Sequence, residues 1–213
     1  SVKKDAVQDY INATEEIVRK NKFIEKQRSA VCNYTILELM RAGTTTICGG
    51  RTFESSEKLK IRNVSGYMIM ASQKLKRYFV DVEKQFDKYF KKTAKSKFTR
   101  PAIFVHSFNM VDGSQIATIK RLIKKHPSVV FMLHLAETEE LEKEVVKKYG
   151  CRSVQYLSKN GLLTKKTILI HGNWITKKDS ELVKKSGASL AHCLSSNLKV
   201  ADKTVNLKYY KNK

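Results

Sequence analysis

The chain has 213 residues, 41% of them hydrophobic, with only two prolines and nine glycines. That content can bury one core of good size and excludes a disordered or collagen-like chain. Lysine and arginine number 42 against 20 aspartate and glutamate, a formal net charge of +22. Such a balance raises nucleic acid as a partner, but the lysines spread over the whole chain (KLKR, KKTAKSK, KKYG, VKK). No basic stripe is interleaved with aromatics, so the pattern reads as solvated helix faces rather than a nucleic-acid groove. The longest apolar run, around Val129 to Leu133, falls far short of the roughly 20 residues that span a bilayer, which excludes a membrane partner. The opening SVKKDAVQDY lacks the apolar stretch of a signal peptide. It also lacks Met, which suggests that residue 1 is not the natural start. Cys32, Cys48, Cys151 and Cys193 form no CxxC. They read as reduced, mostly buried thiols of a cytoplasmic protein rather than a disulfide frame or a zinc knuckle.

In chain order, short β-branched runs alternate with longer amphipathic ones. The predicted strands are Thr44–Cys48, Val64–Met70, Ala102–His106, Val129–Leu135, Thr167–His171 and Ser189–Cys193. Between the second and third, Ser72–Lys95 carries Leu75, Phe79, Val82, Phe86 and Tyr89–Phe90 at helical spacing. Asp112 and Gln115 form a D-x-x-Q capping box before Ile116, Ile119, Leu122 and Ile123, which predicts a helix to Lys125. Thr176 and Asp179 open another helix that ends at Ser186, with Gly187 just past it. Strand–helix–strand alternation predicts βαβ units and a parallel sheet, either doubly wound or part of a (β/α)₈ barrel.

The histidines stand out next. Of five, His106, His134, His171 and His192 fall at or beside the C-terminal end of a predicted strand. His126, before Pro127 at a helix end, reads as a surface residue. In a parallel fold all strand C-termini share one face, so four imidazoles converge on one mouth, the place where barrels build active sites. Each alone fits a structural carbonyl cap; together they point to metal or acid/base chemistry. FMLHLAETEEL, residues 131–141, adds Glu137 just past its strand. Glu139 and Glu140 fit favourable charge at a helix N-terminus capped by Thr138. Glu137, ahead of that cap, fits a proton carrier that turns back over the mouth.

HLAET (134–138), ILIHGNWIT (168–176) and GASLAHCLSSNLKV (187–200) resemble the amidohydrolase superfamily, and within it the cytosine-deaminase-like branch of guanine, S-adenosylhomocysteine and methylthioadenosine deaminases and triazine chlorohydrolases. LMRAGTTTICGG (39–50) and FVHSFNMVDGSQI (104–116) are similar to the second- and fourth-strand segments of that branch. The resemblance implies a partial (β/α)₈ barrel of about six of eight strands, a single incomplete domain over residues 1–213. It implies one divalent metal, zinc first with iron or nickel as alternatives, and a small heterocyclic substrate of purine, pyrimidine, pterin or triazine type. By position it makes His134 the fifth-strand metal ligand and Glu137 the carboxylate that shuttles protons. His171 becomes the residue that orients the attacking water, and His106 a substrate contact. Trp174, Ser196 and Asn197 then shape the substrate pocket.

The sequence also departs from that pattern. No HxH occurs, no aspartate follows the seventh-strand motif on an eighth strand, and Leu194 stands where relatives have proline before SSN. The expected function is that of a fragment or truncated member of a metal-dependent hydrolase, cleaving a ring C–N or C–Cl bond. The alternatives are a catalytically inactive homologue that binds or scaffolds, and a basic nucleic-acid-binding α/β protein. A six-stranded piece of barrel would leave two open edges, which a second copy in a homo-oligomer would cover.

Overall fold

The computed structural model describes residues 25–69, 81–200 and 203–209. Six strands form one sheet: β1 (Thr46–Gly50), β2 (Arg62–Ile69), β3 (Thr99–Val105), β4 (Val130–Leu135), β5 (Thr167–His171) and β6 (Ser189–Ala191). Every pairing is parallel and the spatial order equals the chain order. All six predicted strands are present. The first starts two residues later than expected and runs through Gly49 and Gly50, because those backbones pair with Ser65 and Gly66 of β2.

Two features decide between the doubly wound sheet and the barrel. A doubly wound sheet reverses its strand order at a switch point, and here the order never reverses. A doubly wound sheet also carries helices on both faces, whereas here the two faces differ. Odd-numbered residues such as Tyr67, Ile69, Ile103, Val105, Phe131, Leu133 and Leu169 enter the large core shared with helical residues Phe86, Ile119, Leu122, Val145, Leu157 and Val183. Even-numbered residues turn the other way, where Ala102, Phe104 and Met132 cluster with Val64, Met68, Val130, Ile168 and Ile170 and with no helix.

The sheet is curled about that second face. Cys48 on β1 places Sγ 3.6 Å from Sδ of Met132 on β4. In a flat sheet those strands would stand about 14 Å apart, too far for two such side chains to meet. The same curl leaves no space at Gly66, where a Cβ would lie 2.6 Å from Cβ of Phe104 and 2.8 Å from Cε of Met132. The architecture is an arc of a (β/α)₈-type barrel. Among the described residues β1 pairs only with β2 and β6 only with β5.

The helices follow their local signals. In α1 (Glu25–Arg41) Ile36 is buried, while Val31, Tyr34 and Leu37 stay exposed. The short α2 (Phe53–Leu59) precedes β2. In α3 (Val82–Thr93), Phe86 is buried among Tyr67, Tyr89 and Phe90; Leu75 and Phe79 lie outside the described residues. In α4 (Gly113–Lys125) the Asp112–Gln115 capping box forms as predicted. α5 (Glu139–Tyr149) is capped by Thr138, and α6 (Ser153–Lys159) follows it directly. α7 (Lys177–Ser186) has the Thr176–Asp179 box and ends in left-handed Gly187, and α8 (Leu194–Val200) follows β6.

Two expectations about side chains are corrected. His126 caps α4 but is not a surface residue: its ring packs 4.1 Å from that of Phe90 and its Nε2 lies 2.7 Å from Oδ1 of Asp87. All four cysteines are free, but only Cys151 is buried and Cys48 is exposed. Among the described residues no further strand pairs with β1, which carries Cys48. Among the described residues no helix is long and apolar enough to cross a membrane.

Candidate active site

The strand alternation that builds the inner face also delivers the imidazoles. His106 continues the parity of Ala102 and Phe104, and His134 that of Val130 and Met132, so both rings stand on the concave side. His134 is the middle of a row. Its ring centroid lies 4.8 Å from that of His106, 5.2 Å from that of His171 and 5.1 Å from that of Phe104.

His171 reaches the row by a different route. It pairs in register with Leu135 and shares the parity of Leu169, so a regular strand would turn it toward the helices. Its backbone is instead left-handed, with φ 75, followed by Gly172 at φ 68. A left-handed non-glycine residue stores strain and is found most often where function requires the side chain elsewhere. Across the gap, Ala136 is also left-handed at φ 48, which turns the chain sharply after His134 and Leu135. Two backbone bonds hold these turns together beyond the strands, Gly172 N–H to Leu135 O at 2.9 Å and Trp174 N–H to Ala136 O at 3.0 Å.

The turn at Ala136 brings Glu137 back to the row. Its Oε1 lies 3.4 Å from Nε2 of His171, with both side chains buried. Asn173, 2% exposed, donates from Nδ2 to the backbone carbonyl of Glu137 at 3.0 Å. On the far side of His171, its Nδ1 lies 2.8 Å from Oδ1 of Asn197, which is fully buried at the second turn position of α8.

Burial sets the electrostatics. It disfavours charge on His134, helped by the neighbouring His106 and His171, and pulls its pKa down to about 3. His106 is lowered for the same first reason, with His171 adding to it. Burial raises the Glu137 carboxyl above its ordinary range, opposed by His171. The thiol of Cys193 is likewise pushed up by burial, and by Glu137. Burial thus disfavours charge on His106 and His134 and favours the protonated form of the Glu137 carboxyl.

Of the residues expected at the site, the structure brings together His106, His134, Glu137, His171 and Asn197. Trp174 stands apart from the row: it is half-buried against the helix-side core, with Nζ of Lys203 4.2 Å over its ring. Ser196 is exposed at the start of α8, and His192 is exposed after β6. Asn173 was not singled out from the sequence, although it lies inside the HGNW motif that carries His171. Arg152 was missed as well. Its guanidinium donates to Asp179 Oδ2 at 2.7 Å and to the Trp174 carbonyl, and lies 3.4 Å from Oε1 of Glu142. It thereby anchors the segment after β5 to α5 and α7.

The amidohydrolase family model matches residues 4–212. The chain belongs to the amidohydrolase family. Among its relatives, the 5-methylthioadenosine/S-adenosylhomocysteine deaminase of Aquifex aeolicus is 27% identical over 175 residues, 78% of this chain and 40% of the relative. The 5'-deoxyadenosine deaminase of Methanosphaera stadtmanae is 27% identical over 202 residues, 91% of this chain and 47% of the relative. The chain thus spans less than half the length of either. Similar solved structures include an adenosine deaminase from Xanthomonas campestris with bound Zn, at TM-score 0.81 and 20% identity over 96% of this chain and 47% of that one. An atrazine chlorohydrolase mutant from Arthrobacter aurescens, complexed with zinc and atraton, gives TM-score 0.83 at 15% identity over 99% of this chain and 52% of that one. These two likenesses establish the amidohydrolase fold.

The donor set is short of a metal centre. A catalytic zinc takes three protein ligands and an open position. Among the described residues no group of three or more His, Cys, Asp or Glu side chains could hold a metal ion. His106 and His134 each keep a buried Nδ1 without a partner. They are imidazole donors beside each other at the strand ends, but not a complete ligand set for a metal ion.

Proposed function

We propose that this amidohydrolase family member serves the hydrolytic removal of an amino group, or of chloride, from a small heterocyclic ring. The single observation that supports this best is the buried Glu137 carboxyl facing the His171 imidazole, with its affinity for protons raised by burial. Hydrolytic deamination needs one group that accepts a proton from water and returns it to a ring nitrogen or the departing amine. A carboxyl tuned upward in a dry site can do both near neutral pH. In this reading Glu137 carries the proton, His171 orients the attacking water, and His106 contacts the ring. His134 supplies one donor toward a divalent metal, zinc first. Trp174, Ser196 and Asn197 belong to the surroundings of the pocket.

The names of the relatives, deaminases of adenosine derivatives, support a purine-type amine as the first substrate class. A cytoplasmic location goes with the reading, supported by four free cysteines. So does a further chain segment or a second copy against β1 and β6, since open strand edges favour pairing. The test is ammonia release by the purified protein, supplied with zinc, from adenosine, 5'-deoxyadenosine, guanine and cytosine. Release from one of these supports the reading. The incomplete donor set favours a second one, a family member that binds heterocycles without turning them over; binding of adenosine with no ammonia release from any of the four would select it.

A further inference from the structure

The contact between Asn197 and His171 fixes more than the position of a ring. A neutral imidazole carries one N–H and one lone pair, and its partners decide which nitrogen holds which. Oδ1 of Asn197 is an acceptor, so the Nδ1 atom 2.8 Å away donates to it. That assignment leaves the lone pair on Nε2, the atom that faces Oε1 of Glu137 at 3.4 Å. A carboxylate oxygen and a bare ring nitrogen would repel each other across that gap. One proton between them turns the repulsion into a hydrogen bond, and 3.4 Å is longer than a formed bond by a few tenths of an ångström. The pair is therefore built to hold one proton that either member can carry.

Several features point to a selected arrangement. Asn197 lies 26 residues from His171 in sequence and is fully buried, although its neighbours Ser196 and Leu198 on α8 are exposed. His171 adopts a left-handed backbone that places its ring between Asn197 and Glu137. Asn173 holds the backbone of Glu137 from the same loop.

Resting on the proposed function above, we propose that Asn197 is a positioning residue that locks His171 as its Nδ1–H tautomer, presenting the Nε2 lone pair to Glu137 so that the two share a single mobile proton. Asn197 then acts on the reaction through His171 and needs no contact with the substrate. The proton moves between Nε2 and Oε1 with no other bond made or broken.

The tautomer is read directly from ring ¹⁵N shifts in long-range ¹H–¹⁵N spectra of the purified protein, with His171 assigned by its loss in H171Q. Spectra are taken at about pH 8, above the ordinary titration range of imidazole. The expected result is a protonated Nδ1 and a bare Nε2. N197D keeps an acceptor oxygen and should retain that tautomer, whereas N197L removes the acceptor and should move the proton to Nε2. A bare Nδ1 together with a protonated Nε2 in the unaltered protein would overturn the proposal. It would mean that the Asn197 amide is reversed and donates to Nδ1 through Nδ2, an atom otherwise buried without a partner among the described residues. If N197L does not fold, the unaltered protein and N197D still decide, because a reversed amide predicts that N197D changes the tautomer. These spectra need no turnover, so their outcome is separate from that of the ammonia assay.

Discussion

Oε1 of Glu137 and Nε2 of His171 stand 3.4 Å apart although the two residues are 34 positions apart in sequence. Two left-handed residues make this meeting happen. Ala136 reverses the chain after β4, and His171 departs from the strand alternation that would have turned it to the helices. The parallel register Leu135 to His171 sets the two turns side by side.

Burial of the His134 ring makes stability depend on pH. The unfolded chain protonates this histidine near its ordinary 6.5, while the folded protein resists until about 3. Below 6.5 the unfolded state therefore binds the extra proton, and stability falls as pH drops toward 3, by up to ~1.4 kcal/mol per pH unit. Glu137 acts in the opposite sense, since its raised value gives the folded state the extra proton above the ordinary 4.5. Urea unfolding in metal-free buffer should show a falling midpoint below about pH 6.5, to which the lowered His106 also contributes, and H134Q should reduce that slope. An unchanged slope in H134Q would assign it to other groups.

The curl of the sheet predicts a sharp cost at Gly66. A methyl there would meet backbone-anchored Cβ of Phe104 at 2.6 Å and the Met132 methyl at 2.8 Å. Only the second can swing aside, so G66A should destabilise by roughly 1–3 kcal/mol, as overpacking does. G43A is the comparison, where a Cβ meets nothing within 4 Å but φ is +91. Its cost would be backbone strain alone, on the order of 1 kcal/mol. Chemical denaturation of both separates packing from strain.

Arg152 balances two buried carboxylates, Asp179 and Glu142, which are 0% and 4% exposed. R152M leaves both without their cation and frees the Trp174 carbonyl. A loss of about 3–5 kcal/mol follows from stranding buried charge. The exposed pair Arg121–Glu83, at 2.6 Å, should be worth less than about 1 kcal/mol when broken by R121M. Equal losses in the two variants would contradict the role given to Arg152.

Much of this was legible in the sequence, because strands and capped helices have local signals. The apolar runs marked all six strands, and the Asp112–Gln115 and Thr176–Asp179 boxes formed as expected. Placing four histidines at strand ends was enough to gather His106, His134 and His171 at one end of the sheet. α1 gave no such signal, since its Val31, Tyr34 and Leu37 remain in solvent while Ile36 and Cys32 pack inward. α6 is seven residues long, too short for a period to show. The left-handed turn of His171 and the grip of Asn197 on its ring depend on contacts across 26 residues, which no local pattern encodes. His126 looked exposed beside Pro127 but stacks on Phe90, because α3 lies across the end of α4.

The central claim is that Glu137 carries the proton in a hydrolytic reaction. The most direct measurement is the rate of ammonia release from the best of the four amines by the zinc-supplied protein and by E137Q. The glutamine keeps the volume of Glu137 and cannot take up a proton, so the account predicts a rate lower by about 10²–10⁴-fold in a protein that still unfolds cooperatively. Equal rates in the two proteins would contradict it.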